Sequence, residues 1–329
     1  MYKVTITDLL KPIVPEEDIL NKNDANLIYG DAQTENDLIE LTKDADAIIN
    51  VYAKLTPRVI NSLRKCQVIV RRGKGVDSVD IKAATANGIL VVNLPDLGND
   101  EVADHAMALL LCSLRKIIEA NEHVKSGQWD FKRFLPIPGL KDCILGLVGF
   151  GRIAKAVAKR GKCFGLSIQT SDPFVSNEVV NKYGAKLVPL DELLRSSDFI
   201  SVHCPLSEET TSLLSTREFE LMKPSAVLIN TARGPVIDEE ALINALRSRQ
   251  IAFAALDVMR KEPPDTNAPL LSMDNVILTP HLASWSENSM RVAGETAAAE
   301  ILRVFNGYLP KSIVNPEVIK TKQYLKQED

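Results

Sequence analysis

The sequence has no excess of charge of one sign and no long hydrophobic run. Its formal net charge is −4, from 39 Lys and Arg and 43 Asp and Glu residues. Interspersed charges of both signs do not favour a nucleic-acid partner or an acidic membrane surface. The apolar stretch around Ala106–Leu111 is too short to span a bilayer, and Met1–Ile6 does not begin a signal peptide. We therefore expect a cytoplasmic protein that binds neither nucleic acid nor membrane.

Paired cysteines and metal-ligand spacings are also missing. The five cysteines are odd in number and widely spaced, with no CxxC pattern and no Cys/His pattern among them. This usage predicts reduced thiols and no metal site. With 329 residues, 45% of them hydrophobic and 25% charged, the chain has the composition of a globular protein, and its length favours two domains.

Short apolar runs alternate with helical patterns along most of the chain. Runs that predict strands of a first parallel sheet are Val4–Thr7, Ala47–Val51, Val68–Arg71 and Leu90–Asn93. Runs that predict a second, six-stranded series are Ile144–Val148, Leu166–Ser171, Phe199–His203, Ala226–Asn230, Ala252–Asp257 and Val276–Thr279. The alternation predicts an α/β protein with two doubly wound parallel sheets. An Ala-rich helix near Asn288–Phe305 has no sheet of its own, so we expect it to return to the first domain.

A glycine turn at the end of the first strand of the second series predicts a dinucleotide site. Gly149 permits a tight turn, and Gly151 lets the main chain approach a pyrophosphate. Ala154 takes the third small position, and the amides at the start of the next helix face the pyrophosphate. Asp172, 21 residues after Gly151, is placed to accept hydrogen bonds from ribose hydroxyls and to repel a 2′-phosphate, which favours NAD over NADP. A purely structural turn is the alternative.

Three residues that follow other strands suggest the chemistry of this site. In doubly wound sheets, ligands bind outside the carboxyl ends of the strands, where Arg233, Glu262 and His281 are expected to lie. Arginine binds a planar carboxylate, histidine exchanges a proton with an alkoxide, and a carboxylate fixes the imidazole tautomer. Together they suit the reduction of a 2-oxo acid. Taken singly, each residue has a structural alternative. Arg233 could cap a helix, Glu262 could be a solvated loop acid, and His281 could be a histidine that stabilises a turn.

The chain resembles the D-isomer-specific 2-hydroxyacid dehydrogenase family. The matching runs, in order, are Gly73–Asp77, Asn99–Ala108, Gly146–Ala154 with Asp172–Pro173, His203–Leu206, Met222–Asp238, Ala255–Pro263 and Thr279–Ser284. The resemblance implies a Rossmann NAD-binding domain, residues 99–287, inserted in a flavodoxin-like substrate domain, residues 1–98 and 288–329. It implies a reversible hydride transfer between NAD and C2 of a small 2-oxo or 2-hydroxy acid, of the 3-phosphoglycerate, glycerate, hydroxypyruvate or glyoxylate class.

The resemblance also implies roles for individual residues. The catalytic residues are Arg233, Glu262 and His281. Those implied to contact the cofactor are Gly149, Gly151, Arg152, Ile153, Asp172, His203, Pro205, Thr231, Ala232, Asp257 and Ala283. Those implied to bind the substrate are Lys74, Gly75, Val76, Arg233 and His281.

Two further expectations depend on the resemblance. The almost wholly apolar stretch Asn99–Arg115 is either an internal core helix or one partly covered by a second subunit, and the resemblance favours a homodimer. Lys74 stands where the family more often has a small or apolar residue. It is either a loop lysine that points to solvent or a cation for a distal anion of the substrate.

An NAD(H)-sensing interaction protein, like the C-terminal binding proteins, is the alternative to an enzyme.

Overall fold

The computed structural model describes residues 1–8, 15–141, 143–322 and 325–327. The chain forms two compact units, one of residues 1–98 and 285–329 and the other of residues 99–284. The strands are β1 (Tyr2–Ile6), β2 (Ala25–Tyr29), β3 (Ala47–Asn50), β4 (Val68–Arg71), β5 (Leu90–Val92), β6 (Ile144–Val148), β7 (Ser167–Ser171), β8 (Ala185–Leu187), β9 (Phe199–Val202), β10 (Val227–Asn230), β11 (Phe253–Leu256) and β12 (Val276–Leu278).

Helices connect these strands. They are α1 (Pro15–Asn21), α2 (Glu35–Thr42), α3 (Pro57–Asn61), α4 (Ile81–Ala86), α5 (Asn99–Arg115), α6 (Ile117–Lys125), α7 (Arg152–Cys163), α8 (Asn177–Asn181), α9 (Leu190–Ser196), α10 (Thr216–Leu221), α11 (Glu239–Arg247) and α12 (Glu287–Phe305). Across the described residues, no helix combines the length and the apolar character needed to cross a bilayer.

The first unit is built on a five-stranded parallel sheet with the order β2-β1-β3-β4-β5. This is the flavodoxin-like order. Helix α12 begins at the N-cap Ser286, whose side chain accepts a hydrogen bond from the amide of Ser289. The small residues Ala293, Ala297 and Ala298 are fully buried in the core of this unit, and α12 packs on α1 and β4.

The second unit is built on a seven-stranded parallel sheet with the order β12-β11-β10-β9-β6-β7-β8. The strand order reverses between β6 and β9, which is the topological switch point where doubly wound sheets bind ligands. Helix α5 packs on α7 and on the sheet through Ala103, Met107 and Leu110, which are buried. Much of the apolar surface of α5 is therefore covered within its own unit.

The predicted fold class is confirmed, but one strand of each sheet was missed. The first sheet has five strands rather than four because β2 also pairs with β1, and the second has seven rather than six because β8 pairs with β7. Both are edge strands, and β8 is only three residues long, Ala185–Lys186–Leu187, with an exposed central lysine. Interior strands are covered on both faces and read as continuous apolar runs, whereas an edge strand needs no such run.

Candidate active site at the strand ends of the second unit

The turn after β6 is tightly packed on one side and open on the other. Gly149 has φ +89°, and a Cβ there would lie 2.9 Å from the backbone nitrogen of Cys204, in the loop after β9. Across the described residues, no neighbouring atom lies within 4 Å of a Cβ placed on Gly151. Gly151 is also the N-cap of α7, and as a glycine it has no side chain with which to cap the helix. The first amides of α7 are therefore available to an anion in the open space next to Gly151.

Asp172, at the end of β7, is held beside this turn. Its Oδ2 accepts a hydrogen bond from the amide of Phe150 (2.7 Å), and its Oδ1 accepts one from the amide of Phe174 (2.8 Å). The carboxylate borders a hollow of about 340 Å³ lined by residues 171–173, Asn177 and residues 187–189. Each carboxylate oxygen can accept more than one hydrogen bond, so Asp172 keeps acceptor capacity for a ligand in that hollow.

The loop after β9 borders the same turn. His203 donates its amide to the carbonyl of Val148 (2.8 Å), and its Nε2 lies 2.8 Å from the hydroxyl of the buried Ser201. Burial, and to a smaller extent the negative charge of Asp172, raises the pKa of the Cys204 thiol to about 11. Cys204 is therefore a neutral thiol at pH 7, not a nucleophile. Pro205, which follows it, is exposed.

The turn after β10 places Arg233. Asn230 is fully buried; its side chain accepts from the amide of Ala232 and donates to the carbonyl of Arg233, both at 2.9 Å. The Arg233 guanidinium in turn donates to the carbonyl of Ala232 at 2.7 Å. The hydroxyl of Thr231 is buried and has no hydrogen-bond partner among the residues that the structure describes. An orphaned buried hydroxyl at the ligand-binding edge of such a sheet fits a polar ligand.

Glu262 and His281 form a hydrogen-bonded pair. His281 Nδ1 lies 2.6 Å from Glu262 Oε2, and Glu262 Oε1 accepts from the amide of Met259 at 3.0 Å. Burial tends to raise the pKa of Glu262, but the hydrogen bond from His281 and the positive charges of His281 and Arg233 outweigh it, so the pKa is lowered. Because an ionised carboxylate only accepts, Nδ1 of His281 carries a proton.

A buried carboxylate, Asp257, fixes the turn that carries His281. Its side chain is 1% exposed and accepts hydrogen bonds from the amides of Leu282 (3.0 Å) and Ala283 (2.9 Å). Its carbonyl accepts from the amide of His281 at 2.8 Å. Thr279 also donates its hydroxyl to Asp257, at 2.6 Å. The side chain of Asp257 thus holds this turn, a role beyond the cofactor contact that the family resemblance implies.

The structure places the predicted residues in two groups. Lys74, Gly75 and Val76 lie in the first unit, after β4, where the side chain of Asn93 donates to the carbonyl of Lys74 at 2.7 Å. All the others follow the carboxyl ends of strands in the second sheet: Gly149, Gly151, Arg152, Ile153, Asp172, His203, Pro205, Thr231, Ala232, Arg233, Asp257, Glu262, His281 and Ala283.

Three polar side chains that organise this edge were not singled out from the sequence. Asn230 and Thr279 hold the turns of Arg233 and His281, and His105 in α5 lies 3.0 Å from the hydroxyl of Thr279. A polar residue at the end of an apolar strand, such as Asn230, was a usable signal. The pairing of His105 with Thr279, 174 residues apart, leaves no signal in a single sequence.

Comparison with known proteins identifies the family. Residues 107–283 match the model of the D-isomer specific 2-hydroxyacid dehydrogenase NAD binding domain. The chain is 40% identical over 317 residues to a D-3-phosphoglycerate dehydrogenase of Methanocaldococcus jannaschii, covering 96% of this chain and 60% of that protein. It is 39% identical over 289 residues to a glyoxylate reductase of Thermococcus litoralis, covering 86% of this chain and 87% of that protein. The chain thus spans about three fifths of the phosphoglycerate dehydrogenase relative.

Solved structures agree with this. A D-lactate dehydrogenase of Aquifex aeolicus, complexed with NAD and lactic acid, matches with a TM-score of 0.84 at 28% identity, over 97% of this chain and 98% of that one. The matched NAD-binding region, residues 107–283, falls within the second unit, which carries the glycine turn, Asp172 and the Glu262–His281 pair. The chain therefore belongs to the D-isomer specific 2-hydroxyacid dehydrogenase family, and its second unit contains the NAD-binding domain of that family.

Proposed function

We propose that the protein is an NAD-dependent D-2-hydroxyacid dehydrogenase that interconverts a small 2-oxo acid and its D-2-hydroxy acid. The observation that carries this proposal is the 2.6 Å hydrogen bond between His281 Nδ1 and the ionised Glu262, in a loop cluster that also holds Arg233. When bound, NAD would supply C4 of its nicotinamide ring as the atom that exchanges a hydride with C2 of the acid.

Each residue of this cluster has a task suited to its chemistry. Arg233 binds the carboxylate of the substrate in a bidentate manner and polarises the oxo group. His281 donates a proton to the oxygen at C2 during reduction and removes it during oxidation. Because Nδ1 is bonded to Glu262, Nε2 is the nitrogen that exchanges this proton. By accepting from Nδ1, Glu262 fixes the tautomer and the orientation of the imidazole ring.

The turn after β6 and Asp172 hold the dinucleotide. The amides at the start of α7 bind the pyrophosphate beside Gly151, which has room for it. Asp172 accepts hydrogen bonds from the ribose next to adenine, in the hollow that it borders, and its charge disfavours a 2′-phosphate. Thr231, whose buried hydroxyl has no partner in the described part of the chain, contacts the cofactor, as do His203, Pro205 and Ala283.

In the first unit, the backbone at Lys74, Gly75 and Val76 binds the substrate carboxylate. The Asn93–Lys74 hydrogen bond anchors the carbonyl side of this loop. Lys74 provides a cation for a distal anion, which favours a phosphorylated or dicarboxylic oxo acid over glyoxylate.

The active protein is a cytoplasmic homodimer whose contact surface begins after α5. The apolar residues of α5 are largely buried within the unit. The segment that follows carries six exposed apolar side chains: Ile117, Ile118, Val124, Trp129, Phe131 and Leu135. Trp129 is 90% exposed and Phe131 70%. Exposed apolar side chains gathered in one segment are typical of a protein–protein interface, and the family resemblance names a second copy of the chain as the partner.

The decisive test is a screen of NADH oxidation with glyoxylate, hydroxypyruvate, pyruvate, oxaloacetate, 2-oxoglutarate and 3-phosphohydroxypyruvate. We expect rapid turnover of at least one of them. His281→Ala should lower kcat on that substrate by about 100-fold to 10,000-fold while NADH binding persists. NADH binding without turnover of any of the acids would instead favour an NAD(H)-sensing interaction protein.

Lys74→Ala tests the substrate class. We expect kcat/KM to fall for a phosphorylated or dicarboxylic oxo acid and to change little for glyoxylate, which has no distal anion. Equal losses on both substrates would contradict the proposed contact and leave Lys74 as a loop residue.

A further inference from the structure

His105, in α5, lies at the end of a hydrogen-bond chain that leads to the turn of His281. Its Nε2 lies 3.0 Å from Thr279 Oγ1 and 3.5 Å from Asp257 Oδ1. Thr279 donates its hydroxyl proton to Asp257 Oδ1, so its oxygen accepts from His105. His105 therefore carries a proton on Nε2. The chain runs from the imidazole through a hydroxyl to a buried carboxylate.

This hydrogen-bond chain ends at the turn in which the backbone of His281 adopts an unfavourable conformation. His281 has φ +52°, in the left-handed region that non-glycine residues avoid. Such a conformation persists only where the surroundings over-determine it. Here, Asp257 accepts hydrogen bonds from the amides of Leu282 and Ala283, and its carbonyl accepts from the amide of His281. The position of the His281 ring thus depends on the position of the Asp257 carboxylate.

We propose that His105 is a positioning residue for the acid–base histidine. It donates to the Thr279 hydroxyl, aims that hydroxyl at Asp257, and so fixes the carboxylate that holds the His281 turn. The His105 side chain is only 17% exposed, on a helix whose other inward-facing residues are mostly apolar. An apolar residue would fill this position without supplying a donor, so the imidazole contributes hydrogen bonding rather than packing. The inference rests on the proposed role of His281.

Two variants at position 105 separate hydrogen bonding from packing. His105→Leu removes the donor, and His105→Gln keeps an amide donor at similar reach. We expect His105→Leu to lower kcat by about 10-fold to 100-fold, with a smaller change in KM, because a displacement of about 1 Å costs about 100-fold. His105→Gln should recover most of the loss. A kcat of His105→Leu within about twofold of wild type would overturn the proposal, as would a His105→Gln as slow as His105→Leu.

Ser113→Ala is the matched control for helix stability. Ser113 is buried on the same helix and donates its hydroxyl to the carbonyl of Leu109 at 2.8 Å, so the variant also loses a hydrogen bond on α5. It should retain kcat even where its melting temperature falls as far as that of His105→Leu.

The double variant His105→Leu/Thr279→Val should be no slower than Thr279→Val alone, because both residues act through one hydrogen-bond chain. A loss of kcat in Ser113→Ala equal to that in His105→Leu, or additive losses in the double variant, would contradict the assignment.

NMR of the histidine side chains tests whether His105 positions the His281 ring, and it does not require turnover. The chain has four histidines, so labelling the imidazole Cε1 carbons gives four NMR signals, each assignable by substitution. The His281 signal should shift in His105→Leu, stay in Ser113→Ala and return towards its wild-type position in His105→Gln. An unmoved His281 signal in His105→Leu would overturn the positioning role. If His281→Ala leaves kcat unchanged, the proposed function fails, whereas the His281 signal still decides whether His105 positions that ring.

Discussion

Gly234 packs directly against the carbonyl group of Met259, with no room for a side chain between them. The loop that carries Arg233 and the loop that carries Glu262 therefore meet through their main chains. The amide of Met259 in turn donates to Glu262 at 3.0 Å. The spacing between the guanidinium and the carboxylate–imidazole pair is thus set by backbone contact rather than by flexible side chains.

Gly234→Ala should separate these loops and slow catalysis. The added methyl group overlaps rigid backbone, so the loops must move apart, and a displacement of about 1 Å lowers kcat/KM by about 100-fold. Steady-state kinetics with the best oxo acid and thermal unfolding measure the effect. Gly139→Ala is the control, because a Cβ at Gly139 meets nothing within 4 Å. Unchanged kcat/KM in Gly234→Ala would show that the loop contact does not set the site.

Gly149→Ala should weaken NADH binding and should destabilise the fold by more than the cost of placing an alanine at a positive φ angle. Gly149 and Gly127 have similar positive φ angles, +89° and +84°, but only at Gly149 would a Cβ meet neighbouring backbone. Gly127→Ala therefore isolates the conformational cost, about 1–2 kcal/mol. We expect Gly149→Ala to lose more stability than Gly127→Ala and to raise the Kd for NADH, measured by fluorescence titration. Equal losses of stability and an unchanged Kd would contradict the close approach to Cys204.

The sequence predicted most of the residues at the ligand edge because they occupy fixed points in a repeating pattern. Gly149, Arg233 and His281 each come directly after an apolar run or shortly beyond it, and parallel strands place such points on one edge. The pattern misses a short edge strand such as β8, whose central residue is an exposed lysine. It also does not encode pairings such as His105 with Thr279, because these depend on how α5 lies on the sheet.

The buried Asn230 shows a second reason for missed residues. Its side chain accepts from the amide of Ala232 and donates to the carbonyl of Arg233, so its role is to shape a turn. Such a residue touches no ligand, so the signal that it leaves in the sequence is a polar residue at the end of an apolar strand, with no indication of its role. For Asp257, the resemblance implies a cofactor contact, and nothing in the sequence indicates the turn that its side chain holds.

Asp172→Ala should reduce the preference for NAD over NADP. Removing the carboxylate removes both the ribose acceptor and the repulsion of a 2′-phosphate, so the ratio of kcat/KM for NADPH to that for NADH should rise by about 10-fold or more. Asp172 also accepts from the amides of Phe150 and Phe174, so Asp172→Asn, which keeps an acceptor without the charge, separates repulsion from turn geometry. An unchanged cofactor ratio in both variants would refute the ribose assignment.

Glu262 should stabilise the fold in a pH-dependent manner. Burial raises its pKa, but His281 and Arg233 lower it more, so the folded state holds the ionised form. The contribution of Glu262 to the free energy of unfolding is complete above the ordinary Glu pKa of about 4.3. It is lost as the pH falls through the lowered pKa of the folded state. Urea unfolding of wild type and Glu262→Gln, from about pH 3 to about pH 7, should show a stability difference that narrows at the acid end. A difference that stays constant over this range would show that His281 does not favour the ionised form.

Trp129→Ser/Phe131→Ser should weaken a dimer formed through the segment after α5. Aromatic side chains are strong anchors of interfaces, each contributing on the order of 2 kcal/mol, so losing both should raise the dissociation constant by about 1,000-fold or more. Sedimentation velocity across a range of concentrations measures this. Phe174→Ser is the control, since Phe174 is 94% exposed but lies outside the segment. A monomeric wild type, or a double variant that associates as tightly as wild type, would place these side chains in solvent and leave the dimer without its proposed contact surface.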